Sequence, residues 1–126
     1  MCLIKNILRR IRNKLSQYVW YVRREYTGHS KSIIDGYFSR HQVKGLHVGC
    51  GGNLLDGWLN SELSPRTEDI LQLNAIKPFP VKGCVFDYVF SEHMIEHVPY
   101  CDGVSMLKEC YRILKKMGGC GYLRLT

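Results

Sequence analysis

What this chain lacks already narrows what it can be. Its six cysteines stand at 2, 50, 84, 101, 110 and 120, and no pair has C-x-x-C spacing. Neither a zinc ribbon nor a thioredoxin-like redox pair is therefore encoded. Scattered cysteines of this kind are expected as small core residues and free thiols in a reducing, cytoplasmic compartment. No apolar run approaches the ~20 residues needed to span a bilayer. The basic N-terminus has no uninterrupted apolar stretch followed by small residues, so it does not read as a signal peptide. Internal repeats and low-complexity tracts are absent.

A net positive excess is missing from most of the chain too. The formal net charge is +7. Residues 1–26 hold Lys5, Arg9, Arg10, Arg12, Lys14, Arg23 and Arg24 against a single acid, Glu25, a net of +6 that leaves +1 for the rest. A body without a basic face is not expected to grip nucleic acid specifically. With 126 residues and 45% hydrophobic content there is material for one small packed domain.

The stretch that is present and informative is Leu46-His47-Val48-Gly49-Cys50-Gly51-Gly52-Asn53. A short apolar strand runs into a turn with three glycines in four residues, where no Cβ prevents close approach to a ligand. In doubly wound α/β folds such a turn receives a nucleotide-like cofactor. An acid should then follow at the end of the next strand, and Glu62 does. A carboxylate suits a ribose because each oxygen can accept one hydroxyl of the diol. Backbone N–H groups around Cys50 and Asn53 are expected to face the same ligand.

Around that turn the pattern predicts an α/β chain. Residues 1–43 form an N-terminal segment and connector, and residues 44–126 form the domain. Leu3, Ile4, Ile7, Leu8, Ile11, Leu15, Tyr18, Val19 and Val22 recur at helical spacing, with basic residues between them. Amphipathic helices usually bury their apolar face against protein, so this helix is expected to lie on the domain. The other reading is contact with an anionic membrane through residues 3–22, with Tyr18, Trp20 and Tyr21 at the interface. A second short helix is expected near 32–40. Strands are expected at 44–48, 58–63, 69–74, 85–91 and 120–126. Only about eight residues separate the first two strands, too few for the usual crossover helix, so a single tight helical turn is expected there. Glu92 to Val98 should be a short helical stretch ended by Pro99. A longer helix should run from a cap at Asp102 through Lys116, with Lys115 and Lys116 in its last turn and Gly118 as its stop.

These motifs together resemble the class I S-adenosylmethionine-dependent methyltransferases of the type 11 domain group. His47 to Asn53 is similar to the family's first motif, and Trp58 to Leu63 to its second strand with the ribose-binding acid. Pro78-Phe79-Pro80 with Phe86 to His97 is similar to the fourth-strand motif, and Leu107 to Gly119 to the helix and turn that follow. The resemblance implies a Rossmann-like three-layer sandwich, a mainly parallel sheet of order 3-2-1-4-5, with S-adenosyl-L-methionine over the C-terminal strand ends. It places His47, Gly49, Cys50, Gly51, Gly52, Asn53, Glu62, Leu63, Asn74, Ser91 and Glu92 around that cofactor. Asn74 falls near the adenine, and Ser91, Glu92 and His93 beside the methionine and its methyl group. His47 stands where an acid is often found, and Met117 where proline is usual. The implied reaction is an SN2 transfer of the sulfonium methyl to a small-molecule, sugar or lipid acceptor. His93 is the candidate base, because imidazole titrates near neutrality. No metal is implied.

Two other readings remain open. His93-Met94-Ile95-Glu96-His97 matches the H-x-x-E-H pattern of one class of zinc peptidases, with Glu109 as the nearby acid for a third ligand. A full domain of the resembled family also continues with a helix and two more strands. The expectation is thus a domain truncated after its fifth strand, with that strand as an apolar edge needing a covering partner. Such a chain could equally be a non-catalytic cofactor-binding remnant or half of an assembly.

Overall fold

The computed structural model describes residues 2–26, 28–116 and 121–126. Five parallel strands form one sheet in the order β3-β2-β1-β4-β5. They are β1 (Gly45–Val48), β2 (Leu59–Glu62), β3 (Leu71–Gln72), β4 (Tyr88–Ser91) and β5 (Tyr122–Leu125). Three helices accompany them: α1 (Cys2–Tyr26), α2 (His29–Arg40) and α3 (Tyr100–Ile113). The expected α/β architecture and strand order are both present.

Alternation along the strands creates two different sheet faces. On one, Leu46, Val48, Leu59, Leu71 and Val89 are buried with Ile34 and Tyr37 of α2 and with Met106, Cys110 and Ile113 of α3. This is the hydrophobic core, and Phe86 sits fully buried within it. The other face carries Gly45, His47, Asn60, Tyr88, Phe90 and Tyr122. Its rings meet in sequence. Trp58 lies 6.2 Å from Tyr88 and 6.3 Å from Phe90, and Tyr88 stacks on Tyr122 at 5.9 Å. Gly45 is required beneath them, because a Cβ there would stand 2.6 Å from the Trp58 ring. Tyr88 and Tyr122 remain exposed, so this aromatic face is open at one end.

Several local expectations are corrected. The β1–β2 connection contains hydrogen-bonded turns and no helical turn. It is held by side chains instead. Tyr37 Oη accepts the Gly45 N–H at 2.9 Å and lies 2.9 Å from the Gly57 carbonyl, to which it can donate. Asn60 donates to the Leu55 and Trp58 carbonyls and accepts the Leu55 N–H. With the crossover pinned at both ends, parallel pairing of β1 with β2 needs no intervening helix.

Glu92 to Val98 is not a helix either; only a 3-10 turn at Ile95–His97 forms. Pro99, not Asp102, occupies the cap position of α3, and Asp102 lies within its first turn. That helix ends at Ile113, so Lys115 and Lys116 lie beyond it rather than in its last turn. Lys115 instead donates to Asp87 Oδ1 at 2.8 Å. Met117, Gly118 and Cys120 are outside the described residues. Among the described cysteines, Cys2, Cys50, Cys84, Cys101 and Cys110 are free thiols.

The largest departure concerns α1. It is a continuous helix over Cys2–Tyr26, longer than the apolar pattern alone required. The described part of its stripe is not buried on the domain. Leu3, Ile4, Ile7, Leu8, Ile11, Leu15 and Val19 are all exposed, and even the most sheltered, Ile7 and Ile11, keep 47% and 49% of their surface. The side chains of Tyr18, Trp20, Tyr21 and Val22 lie outside the described set.

Candidate functional site

The glycine turn leaves β1 at its C-terminal end, the edge at which open parallel sheets bind ligands. Gly49 and Gly51 adopt positive φ, 69° and 53°, a region that disfavours any residue with a Cβ. They differ in surroundings. A Cβ on Gly49 would stand 2.5 Å from Met94 Sδ, whereas one on Gly51 or Gly52 would meet nothing within 4 Å. Gly49 is thus constrained by packing, while Gly51 and Gly52 border open space.

Glu62 closes the turn from the next strand. Because Val48 is in register with Ser61, Glu62 comes one step past the end of β1, beside the glycines. Its Oε2 accepts the Gly51 N–H at 2.8 Å and its Oε1 accepts the Leu63 N–H at 2.8 Å. A carboxylate offers about four acceptor positions, so each oxygen can still receive one hydroxyl. The paired glycine and acid expected from sequence are therefore in direct contact.

The amides expected to face a ligand are used internally. Cys50 N–H donates to the Ser61 carbonyl at 2.9 Å, which extends the β1–β2 ladder past the last strand residue. Asn53 N–H donates to the Cys50 carbonyl at 2.9 Å and closes the turn. The cradle is made by vacant space at Gly51 and Gly52 and by the Glu62 carboxylate, not by a row of free amides. The Cys50 side chain is buried, which raises its thiol pKa above the ordinary value.

His47 is 1% exposed and lies within the sheet, not at its rim. Its Nδ1 is 3.2 Å from Asn60 Oδ1, and its ring is 5.1 Å from Phe90. The Asn60 amide nitrogen is already committed to two carbonyls, so its oxygen faces His47 and the Nδ1 bears the proton. Burial lowers the His47 pKa, favouring neutral imidazole. His47 thus supports the crossover through Asn60.

β4 delivers the remaining candidates. Ser91 is 2% exposed, and its Oγ is buried without a hydrogen-bond partner. Glu92 reaches Asn53 Nδ2 with Oε2 at 3.4 Å, so the loop after β4 touches the glycine turn. His93 holds φ of 50°, strained for a residue with a side chain, while its N–H donates to the Thr126 carbonyl at 2.7 Å. Its imidazole is 76% exposed, 3.8 Å from Glu92 and 3.5 Å from Glu96. Asn74 follows β3, with Oδ1 accepting the Ile76 N–H at 3.2 Å. The Leu73 N–H donates to the Glu62 carbonyl, which keeps Asn74 at the same end of the sheet. Leu63 is exposed beside Glu62. A cavity of ≈ 550 Å³ opens from Asn53 and Leu55 across Trp58, Tyr88, Phe90 and Arg124.

The H-x-x-E-H segment does not have the geometry a zinc peptidase needs. Both histidines would have to share one helix face, yet His93 precedes the three-residue turn in a left-handed conformation. Glu109, the acid available for a third ligand, is engaged elsewhere. It accepts the Phe79 N–H at 2.6 Å and both Nε and Nη2 of Arg112, at 2.8 and 2.7 Å. Among the described residues no three His, Cys, Asp or Glu side chains converge as metal ligands.

Tyr37, Asn60 and the Glu109–Arg112 pair were not foreseen from sequence. Asn60 had a visible signal, a polar side chain in the middle of a strand that is otherwise half-buried. Tyr37 and Glu109 had none, since their partners are distant in the chain.

A family model described as a methyltransferase domain matches residues 58–121. The matched stretch runs from just before β2 to just before β5, and the glycine turn precedes it. No curated protein and no solved structure matches the chain.

Proposed function

The chain belongs to the type 11 family of methyltransferase domains, whose members bind S-adenosyl-L-methionine as methyl donor, and from that premise we propose that it methylates a small-molecule, sugar or lipid acceptor at the C-terminal edge of its sheet. One observation carries the reading. The Glu62 carboxylate is fixed by Gly51 N–H and Leu63 N–H directly beside glycines that border open space.

The residues present fit the cofactor. Glu62 would receive the ribose hydroxyls on the acceptor positions its two amides leave open. Gly51 and Gly52 would admit it closely, because a Cβ on either would point into empty space. Ser91 would offer its unpartnered hydroxyl, and Glu92 and Asn53 border the same place. Asn74, past the end of β3, would meet the adenine. When bound, the cofactor supplies an activated sulfonium methyl, which leaves the protein to orient the acceptor and, for a hydroxyl, to remove its proton. His93 would take that proton at an imidazole nitrogen. Glu92 and Glu96 flank the ring and would stabilise the imidazolium that forms.

The test is transfer of radiolabelled methyl from S-adenosylmethionine, together with calorimetric binding of S-adenosylhomocysteine to wild type and Glu62→Ala. Binding by wild type that falls roughly 10- to 100-fold in the variant supports the site, since a hydrogen bond to a charged group contributes about 1.5–3 kcal/mol. Unchanged affinity in Glu62→Ala overturns it. A second reading, a non-catalytic cofactor-binding module completed by a partner, is favoured by β5, which among the described residues pairs with β4 alone. That reading gives tight binding without methyl transfer from the isolated chain.

A further inference from the structure

The methyltransferase site leaves α1 without a task. Every described side chain from residue 2 to residue 16 is exposed. Leu3, Ile4, Ile7, Leu8, Ile11 and Leu15 nevertheless line one side of the helix. At 3.6 residues per turn they occupy an arc of about 140°. Arg12 and Lys5 border that arc on one flank and Arg10 on the other, with Lys14 just inside the Arg10 edge, while Arg9 points away from it. No acid occurs before Glu25. A helix of this kind has two unmet demands at once: an apolar medium for the stripe and negative charge on both of its flanks.

We infer that α1 is a lipid-facing helix that lies in the headgroup plane of a bilayer rich in anionic phospholipid. That surface meets both demands in one geometry, with the stripe entering the acyl boundary and the flanking cations against lipid phosphates. A second copy of the chain meets them poorly. Each copy carries +7, the body outside residues 1–26 carries +1, and the open aromatic face of the sheet itself bears Arg124. A nucleic acid would neutralise the cations and leave the leucines and isoleucines in water. No helix among the described residues is long and apolar enough to cross a membrane, so the association is peripheral. The inference is independent of the reaction at Glu62.

Vesicle co-sedimentation of the full chain tests it. The expected result is binding to vesicles of phosphatidylcholine with phosphatidylserine, and little binding to phosphatidylcholine alone. Binding should weaken as salt rises from about 0.1 M to about 1 M, which shortens the screening length from ~10 Å to ~3 Å. The pair Ile7→Glu and Ile11→Glu should reduce it at least roughly tenfold, as should the triple Lys5→Gln, Arg10→Gln, Arg12→Gln. These positions are exposed, so cofactor affinity and the thermal transition should be unchanged in both variants, and the neutral triple serves if the acidic pair disturbs the helix. Equal binding to neutral and anionic vesicles, or no binding, overturns the inference. So does a dimer in sedimentation velocity that dissociates in Ile7→Glu and Ile11→Glu while wild type ignores vesicles, which assigns the stripe to a second copy. Binding to single-stranded RNA but not to anionic vesicles overturns it as well.

Discussion

Two glycines separated by a single residue ask different things of the fold. Gly49 and Gly51 both hold positive φ, yet only Gly49 is crowded, by Met94 Sδ. Gly51→Ala should cost about 1 kcal/mol, the left-handed penalty alone, and should cut cofactor affinity more than stability. Gly49→Ala adds an overpacking cost, typically 1–3 kcal/mol, and should lower the denaturant midpoint clearly further. Chemical denaturation of the two variants side by side checks the order; equal midpoints would mean that Met94 moves aside freely. The glycines and Glu62 were legible in sequence because the signal is local: small residues after an apolar strand, then an acid. The contact between them was not a local matter. It follows from the Val48–Ser61 register, which sets Glu62 one step beyond β1. Cys50 and Asn53 went the other way, because a local pattern cannot tell an amide that faces a ligand from one that extends a ladder.

At the scale of elements, ion pairs stand in for the helix ends that sequence patterns overstated. Asp87 accepts Lys44 N–H and Lys115 Nζ, each at 2.8 Å, and so ties the entry of β1 to the chain beyond α3. Lys115 was expected inside the helix because its charge suits a helix C-terminus; the Asp87 carboxylate, just before β4, pairs with it outside. Glu109 and Arg112 do the same for the irregular segment before β4. Glu109 takes the Phe79 N–H, and Arg112 donates to the Val81 and Phe79 carbonyls. Arg112 first, and Phe79 N–H with it, hold the Glu109 carboxyl below its ordinary 4.5. A depressed carboxyl stabilises the fold above that value and loses the contribution as pH falls through the lower, folded one. Glu109→Gln should therefore destabilise by about 1 kcal/mol at neutral pH, a modest figure because Arg112 is partly solvated. The deficit should shrink below pH ~4. Urea unfolding of wild type and variant at neutral and acidic pH measures it; a deficit that stays constant would locate the effect in packing rather than charge.

For the molecule as a whole, the question is whether the N-terminal helix belongs to the cooperative unit. Every described residue of the buried cluster lies between Ile34 and Leu114, and none is among the described side chains of α1. Periodicity made the helix legible but could not say what its stripe faces, since the same spacing serves a protein core and a lipid surface. Among the described side chains of α1 the leucines and isoleucines are exposed, and they add little hydrophobic stabilisation to the fold, at about 25 cal/mol per Å² withdrawn from water. Removing residues 1–26 should then leave a cooperative unfolding transition within a few degrees of the full chain, because less than about 1 kcal/mol is lost. The net charge should fall from +7 to +1, so the shortened chain should bind a cation exchanger far more weakly at neutral pH. Thermal unfolding followed by circular dichroism decides between the alternatives. A transition that broadens or drops by more than about 10 °C would show that α1 packs on the sheet in solution, and the open aromatic face beside Trp58 and Tyr88 would then be where it lies.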